Sequence, residues 1–290
     1  MNIKIIYATF SMKKKNKIRL IPRLDIKGIN LVKGINLEGF RALGDANFYV
    51  EKYYKENADE IILNDVVASL YEKNTLNHFI KKISKKIFIP LIVGGGVKTL
   101  EEIEFLLKSG ADRIFLNSSI IKKPKFLNSA VKYFGSSTII ASIEVVKINN
   151  KYFCVSNSGR EKSNLNLIKW AQEIESRGAS EILLTSVDND GLGNGFDTDL
   201  INILKNKINI PFIISGGYGK LEHIKKNFKK SNLSGISIAS ALHYSAKNDM
   251  KIDLKSYREG NFEFLLKNIS YKNFENTNIN EIKRYLSKLR

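Results

Sequence analysis

One nine-residue pattern occurs twice in this chain, and it constrains the fold more than any other feature. Ile89-Pro90-Leu91-Ile92-Val93-Gly94-Gly95-Gly96-Val97 is echoed by Ile210-Pro211-Phe212-Ile213-Ile214-Ser215-Gly216-Gly217-Tyr218, 121 positions later (94 to 215). Each copy leads into a helix-like stretch with an acidic residue near its start, Glu101 and Glu222. Each is then followed by a second matched segment, Ala111 to Ser118 and Ser234 to Ser240. Around these copies the sequence alternates short apolar runs with amphipathic stretches. The expected strands are Arg19–Leu24, Glu60–Asn64, Phe88–Val93, Arg113–Leu116, Thr138–Ile143, Glu181–Thr185, Phe212–Ile214 and Gly235–Ile238. The expected helices include Leu100–Ser109, Leu165–Arg177 and Leu221–Lys230, where apolar residues such as Ile103, Leu106 and Leu107 recur at helical spacing. Strands alternating with helices pair in parallel through right-handed crossovers. An open doubly wound sheet competes with a closed barrel. The count of eight favours the barrel, and 290 residues suit one such domain. The fold class expected is α/β, a single (β/α)₈ TIM barrel built from two similar halves. Residues 1–17 form an N-terminal extension, 18–290 the barrel, and about 246–277 an insertion before the last helix.

Composition narrows the function classes. Apolar residues make up 43%, enough for a sizeable core, and the sequence has no run of about 18 apolar residues that would cross a membrane. Met1 to Phe10 and the following Lys13, Lys14, Lys15 and Lys17 have the charge on the wrong side of the apolar stretch for a secretory signal. The expectation is a ragged extension, with Met12 as an alternative start. A single cysteine, Cys154, rules out an intramolecular disulfide and fits a reducing cytoplasm. The net charge of +18 is spread along the chain, in runs such as Lys225-Lys226 and Lys229-Lys230. It could attract nucleic acid, an anionic surface or phosphorylated substrates. No nucleic-acid-binding module accompanies it, so no nucleic-acid or membrane partner is expected. His78, His223 and His243 lack metal-ligand spacing, so neither a metal nor a cofactor is expected.

The chemistry-bearing residues fall at strand ends. Glycine-rich turns after a strand let backbone N–H groups approach an anion, and a helix start beyond them adds a favourable dipole. Gly94, Gly95 and Gly96 with Asn117 and Ser118 make one such set; Ser215, Gly216 and Gly217 with Ala239 and Ser240 make the other. Glycine also serves tight turns with no ligand, but two matched sets half a barrel apart suggest two phosphates on opposite sides of one mouth. Carboxylates cluster at the same end. Asp25 follows strand one, Asp65 strand two, Glu144 strand five, and Asp188 and Asp190 strand six. Asp65 and Asp188 read equally well as caps or ion-pair partners. Asp25 and Glu144 hold equivalent places in the two halves, which suits general acid and base work across one reacting group.

Several stretches together carry a family resemblance: Arg19 to Asp25, Leu31-Val32-Lys33-Gly34, Asp65 to Ser69, Val93 to Gly96, Phe134-Gly135-Ser136, Gly178 to Ser186, and Asp188-Asn189-Asp190-Gly191. They resemble the cyclase subunit of imidazole glycerol phosphate synthase, from about Ile18 to Tyr244 and weakly again at Asn278–Leu289. The resemblance implies a barrel that uses ammonia to cleave a substrate with a phosphate at each end. It closes an imidazole ring and yields imidazole glycerol phosphate and an aminoimidazole carboxamide ribotide. Asp25 would be one acid/base, and Glu144 would stand where the family has its second, an Asp. Lys33 would lie in a mobile loop that closes over the substrate; Asn117, Thr185, Asp190 and Ser215 would line the site. A glutaminase would dock at the N-terminal face and pass ammonia through a charged ring matched by Arg19, Glu60, Arg113 and Glu181, with Asp112 at its rim. Ordinary capping of a barrel floor is the bland alternative for that ring. Three departures stand out: Glu144 in place of Asp, Arg23 where a small residue is usual, and the insertion. They suit a diverged paralogue, and the alternative function is a barrel that conducts ammonia from a glutaminase to a sugar amidotransferase in surface-polysaccharide synthesis.

Overall fold

A computed structural model describes residues 17–67, 74–225, 228, 232–250 and 273–289. The expected N-terminal extension, apart from Lys17, and most of the expected insertion lie outside the described residues. The insertion's first residues, Ala246 and Lys247, end a helix, α8 (Ser240–Lys247).

Eight strands close a parallel ring: β1 (Arg19–Lys27), β4 (Ile61–Asp65), β5 (Leu91–Gly94), β6 (Arg113–Leu116), β7 (Ile139–Ile148), β10 (Ile182–Ser186), β11 (Phe212–Ser215) and β12 (Leu233–Ile238), which returns to β1. The fold is therefore the (β/α)₈ barrel expected. Near-continuous apolar runs such as Ile61-Ile62-Leu63 form strands because both faces are covered. One face fills the barrel: Ile21, Ile62, Ile92, Phe115, Ile140, Leu183 and Ile213 pack together inside the ring. At Gly235 on β12 a Cβ would come within 3.0 Å of Ile21 Cδ1, so the glycine makes room for that packing. Cutting Ile140 to Ala is expected to cost ~2–5 kcal/mol. The other face, with Leu20, Leu63, Val93, Ile114 and Leu184, packs beneath the helices.

The helices begin where polar side chains can cap them. Asp45 caps α1 (Ala46–Lys55), Thr99 caps α3 (Leu100–Lys108), Asn166 caps α6 (Leu167–Ser176), Asp197 caps α7 (Thr198–Leu204) and Asn278 caps α9 (Ile279–Lys288), each accepting from a backbone N–H of the first turn. Between them lie α2 (Asn74–Ile83), α4 (Ser118–Lys122) and α5 (Lys125–Phe134). The expected strand Phe88–Val93 starts only at Leu91, because Pro90 has no N–H for the ladder, and Phe88 stands 81% exposed. The helix expected over Leu221–Lys230 begins instead as a 3₁₀ turn, Leu221–His223. Its end is set by Ile224 in an extended conformation, and His223 Nδ1 accepts from the N–H of Gly219 at 3.0 Å.

Two antiparallel hairpins extend the ring at equivalent points of the two halves. β2 (Asn30–Ile35) and β3 (Glu38–Asp45) fold back on β1; β8 (Lys151–Ser156) and β9 (Glu161–Asn166) fold back on β7. Asn149 and Asn150, both at positive φ, make the tight turn that starts the second. The first turns at Asn36 and Leu37. Leu37 holds a positive φ of 62°, an unfavourable conformation for a bulky residue, and is kept there by packing on Val155 and Val187. Asn36 Nδ2 adds hydrogen bonds to the carbonyls of Val187 (2.7 Å) and Asp188 (3.0 Å). The β2–β3 hairpin is thus seated over the mouth of the barrel.

Candidate active site

At the floor, the four residues singled out from the sequence meet in one network. Arg19 Nη1 donates to Glu60 Oε1 at 2.7 Å, Arg19 Nη2 pairs with Glu181 Oε1, and Arg113 Nη1 donates to Glu181 Oε2 at 2.7 Å. Arg19 and Arg113 are the first residues of β1 and β6; Glu60 and Glu181 precede β4 and β10 by one position. Ser234, which the sequence reading did not select, joins through its hydroxyl to Arg19 and Glu181. Glu60 is the weak member: burial pushes its carboxyl up against the pull of Arg19, and its Oε2 has no hydrogen-bond partner among the described residues. Asp112 has a structural task, accepting from the backbone N–H of Leu91 at 2.8 Å.

At the opposite end, Asp25 and Glu144 occupy matching places. Each sits where its barrel strand begins to pair with its hairpin, Asp25 opposite Val32 and Glu144 opposite Val155. β1 and β7 lie four strands apart around the ring in either direction. Both carboxyls are buried, 1% and 7% exposed. Asp25 Oδ1 accepts from Asn64 Nδ2 at 2.8 Å and from Arg23 Nε at 3.2 Å. Burial would push its carboxyl up, but the cations Arg23 and Lys33 and the Asn64 amide outweigh that and hold it below the ordinary range. For Glu144 burial wins. Its carboxyl is pushed up to about 7, because Arg23 is opposed by the nearby Asp25 and Asp190. Its Oε2 is buried with no hydrogen-bond partner among the described residues.

Lys33 does not lie in a loop. It sits in β2, 3% exposed, with Nζ 2.6 Å from Asp190 Oδ2. The ordered hairpin, folded onto β1 and onto the segment after β10, carries it there. Thr185 is buried and its Oγ1 accepts from Arg23 Nη1 at 3.2 Å; Ser215 is its neighbour across the β10–β11 ladder. Asp65 and Asp188 follow the bland alternative at least in part: Asp65 accepts from the N–H of Val67, Asp188 from that of Lys147.

The two anion-site candidates match in backbone detail. α4 starts at Asn117 (φ −125°, ψ −83°) and α8 at Ala239 (φ −120°, ψ −85°), and neither start has a side-chain cap. α5, which begins behind Pro124, also lacks one. Asn117 Oδ1, Ser119 Oγ, Ser237 Oγ and Ser240 Oγ are buried without hydrogen-bond partners among the described residues. Ser118 Oγ accepts from the N–H of Asn157 in the second hairpin. The glycines before these helices have local steric duties too. A Cβ on Gly95 would lie 2.2 Å from Asp65 O, and one on Gly216 2.6 Å from Ser186 O, the carbonyls that end β4 and β10. Gly96 and Gly217 also hold positive φ, 64° and 107°. A cavity of about 830 Å³ runs from Glu144 and Asn64 past Gly95, Gly96, Asn117 and Ser118 to Lys122 and Arg160. The hairpin residues Asn157 and Arg160 on its wall escaped the sequence reading. The Asn149-Asn150 pair between two apolar runs was the available signal for that hairpin.

Fold and site together define a class: a (β/α)₈ barrel with opposed carboxyls at its mouth, two matched uncapped helix starts beside them and a charged ring at its floor. The family model described as histidine biosynthesis protein matches residues 19–248. The chain belongs to that family. It is 42% identical to the imidazole glycerol phosphate synthase subunit HisF of Legionella pneumophila over 71% of this chain and 98% of that relative. It is 41% identical to the subunit of the same name from Campylobacter concisus, over 84% and 95%, and 38% identical to that from Flavobacterium psychrophilum, over 82% and 96%.

Proposed function

We propose that the chain is an ammonia-dependent cyclase of histidine biosynthesis. It forms imidazole glycerol phosphate and an aminoimidazole carboxamide ribotide from a ribulosyl-formimino substrate with a phosphate at each end. The observation that carries the reading is the matched pair of uncapped helix starts, α4 and α8, with Asp25 and Glu144 at equivalent register between them. Each phosphate sits at one glycine-rich turn and its helix start: Gly95, Gly96, Asn117 and Ser118 on one side, Ser215, Gly216, Gly217, Ala239 and Ser240 on the other. Lys33, Thr185 and Asp190 line the space between. Asp25 and Glu144 move protons as the substrate is split and the ring closes.

Ammonia comes from a glutaminase partner, since the relatives are named as subunits of a synthase. It docks at the floor, and the ring of Arg19, Glu60, Arg113 and Glu181 is the gate through which ammonia enters the lumen. A cytoplasmic location goes with this reading. The alternative, a conduit for sugar amidation, is not what the relatives' names favour. The test is direct. Purified chain with ammonium salt and the bisphosphate substrate should yield the two products in equal amounts; substrate left intact by a folded barrel would overturn the proposal.

A further inference from the structure

Arg23, a buried cation at the mouth, has no part in the proposed reaction as set out so far. It lies on β1, two residues before Asp25, and is 4% exposed. Its guanidinium crosses the lumen above the Ile21 layer, from Asp25 on its own strand to Thr185 on β10, a strand that does not neighbour β1. Its backbone is pinned as well. The Arg23 carbonyl can only accept, so His243 Nε2 donates to it at 2.8 Å; His243 Nδ1 must then accept, from the Tyr53 hydroxyl at 2.7 Å. Burial holds His243 uncharged, with its pKa lowered to about 3.

We propose that Arg23 is a positioning residue that gives the two mouth carboxyls opposite tasks, holding Asp25 as the proton acceptor and leaving Glu144 as the proton donor. The argument is one of partners. Asp25 is faced by Arg23 from its own strand, Lys33 from β2, the Asn64 amide from β4 and the neutral His243 from α8. Glu144 is faced by Arg23, by the carboxylates Asp25 and Asp190, and by the N–H of Gly159 at the turn of the second hairpin. Lys33 is committed to Asp190 at 2.6 Å, and Arg23 touches Asp25 at 3.2 Å. Two cations thus meet two carboxylates, and a third carboxyl remains with Oε2 buried and no hydrogen-bond partner among the described residues. An ionised carboxylate left that way is costly, whereas a protonated one offers an O–H toward the cavity it lines. Asp25 takes a proton and Glu144 gives one, so the pair's total charge is unchanged across the step.

The donor and acceptor roles rest on the cyclase reading, but the protonation states do not, and an infrared titration without substrate separates the two. Difference spectra between the wild type and Glu144→Gln should show a protonated carboxyl lost with a midpoint near 7. The corresponding Asp25→Asn difference should show no protonated carboxyl at about pH 5, roughly one unit above the ordinary Asp value. In Arg23→Met both midpoints should rise by about 1 unit or more, because a neighbouring cation is removed, and Arg23→Lys should bring them back. The alkaline limb of kcat/KM for ammonia-dependent turnover should move with Glu144. Glu144 already ionised at about pH 5 overturns the proposal in the wild type alone, even if Arg23→Met does not fold. Midpoints that stay put in a folded Arg23→Met overturn it too, since a merely structural arginine would leave them unmoved. Absence of turnover with these titrations intact would strike the cyclase reading and spare the charge assignment.

Discussion

Asp25 and Glu144 show how far equal register can diverge in chemistry. Both lie within barrel strands, where each strand begins to pair with its hairpin, yet one carboxyl has a guanidinium and an amide in contact and the other has an oxygen without a partner among the described residues. Asp25→Asn keeps the shape and removes the proton acceptor, so ammonia-dependent turnover should fall by ~10²–10⁴-fold with the fold intact. Full turnover in that variant would remove Asp25 from the mechanism. Glu144→Asp should retain or raise turnover, since it restores the side-chain length implied by the family resemblance. His243 gives a pH prediction for stability. Its folded pKa, about 3, lies below the unfolded value near 6.5. The unfolded chain therefore binds a proton first, and stability present above about 6.5 is lost as pH falls toward 3. The raised carboxyl of Glu144 works the other way, losing stability as pH rises from the ordinary Glu value toward 7. Because the two act in opposite directions between about pH 5 and about pH 7, the urea midpoint should fall more on going from about pH 5 to about pH 7 in His243→Gln than in the wild type; an unchanged signed difference would contradict the assignment. Asp25 and Glu144 could be chosen from sequence because strand ends mark the mouth. Neither the Tyr53–His243–Arg23 chain nor Ser234 could, because these contacts join residues 190, 220 and 215 positions apart and depend on barrel closure.

Elements carry the half-barrel symmetry more faithfully than residues do. The eight strands were legible because apolar runs buried on both faces have a simple signature; their starts were less so, as Pro90 shows at β5. The two hairpins were missed. Residues 30–45 offer no two-residue Asn-Gly or Asp-Gly turn, and the turn that forms uses Leu37 at positive φ, which only tertiary packing can hold. Lys33, placed in a loop by the family resemblance, stands in the first of these hairpins, in β2. The helix starts make the clearest prediction at this scale. Crystals soaked in phosphate or sulfate should show two anions, one at Gly95 and Asn117, the other at Gly217 and Ser240. One anion, or anions elsewhere, would remove the support for a substrate with two phosphates. Gly216→Ala should hurt regardless of ligand, since its Cβ would lie 2.6 Å from the Ser186 carbonyl at a φ of 94°. Such steric conflict at positive φ is expected to cost about 1–3 kcal/mol, read as a lowered thermal midpoint.

The whole molecule joins a charged floor to a buried mouth through an apolar lumen. Its positive balance of +18 would draw a substrate with two phosphates toward it. The ring of Arg19, Glu60, Arg113 and Glu181 was legible through the family resemblance, and its opposite charges open or precede four separate barrel strands. What passes it was not, because a floor that only caps a core would use the same pairs. The discriminating measurement takes the chain in complex with its glutaminase and compares glutamine-dependent with ammonium-dependent formation of the two products, in the wild type and in Arg113→Ala. If ammonia travels from the floor to Asp25 and Glu144, Arg113→Ala should lower turnover on glutamine more than turnover on ammonium salt, because free ammonia can also enter at the mouth. Equal loss of both, or a glutaminase that does not bind, would contradict the account.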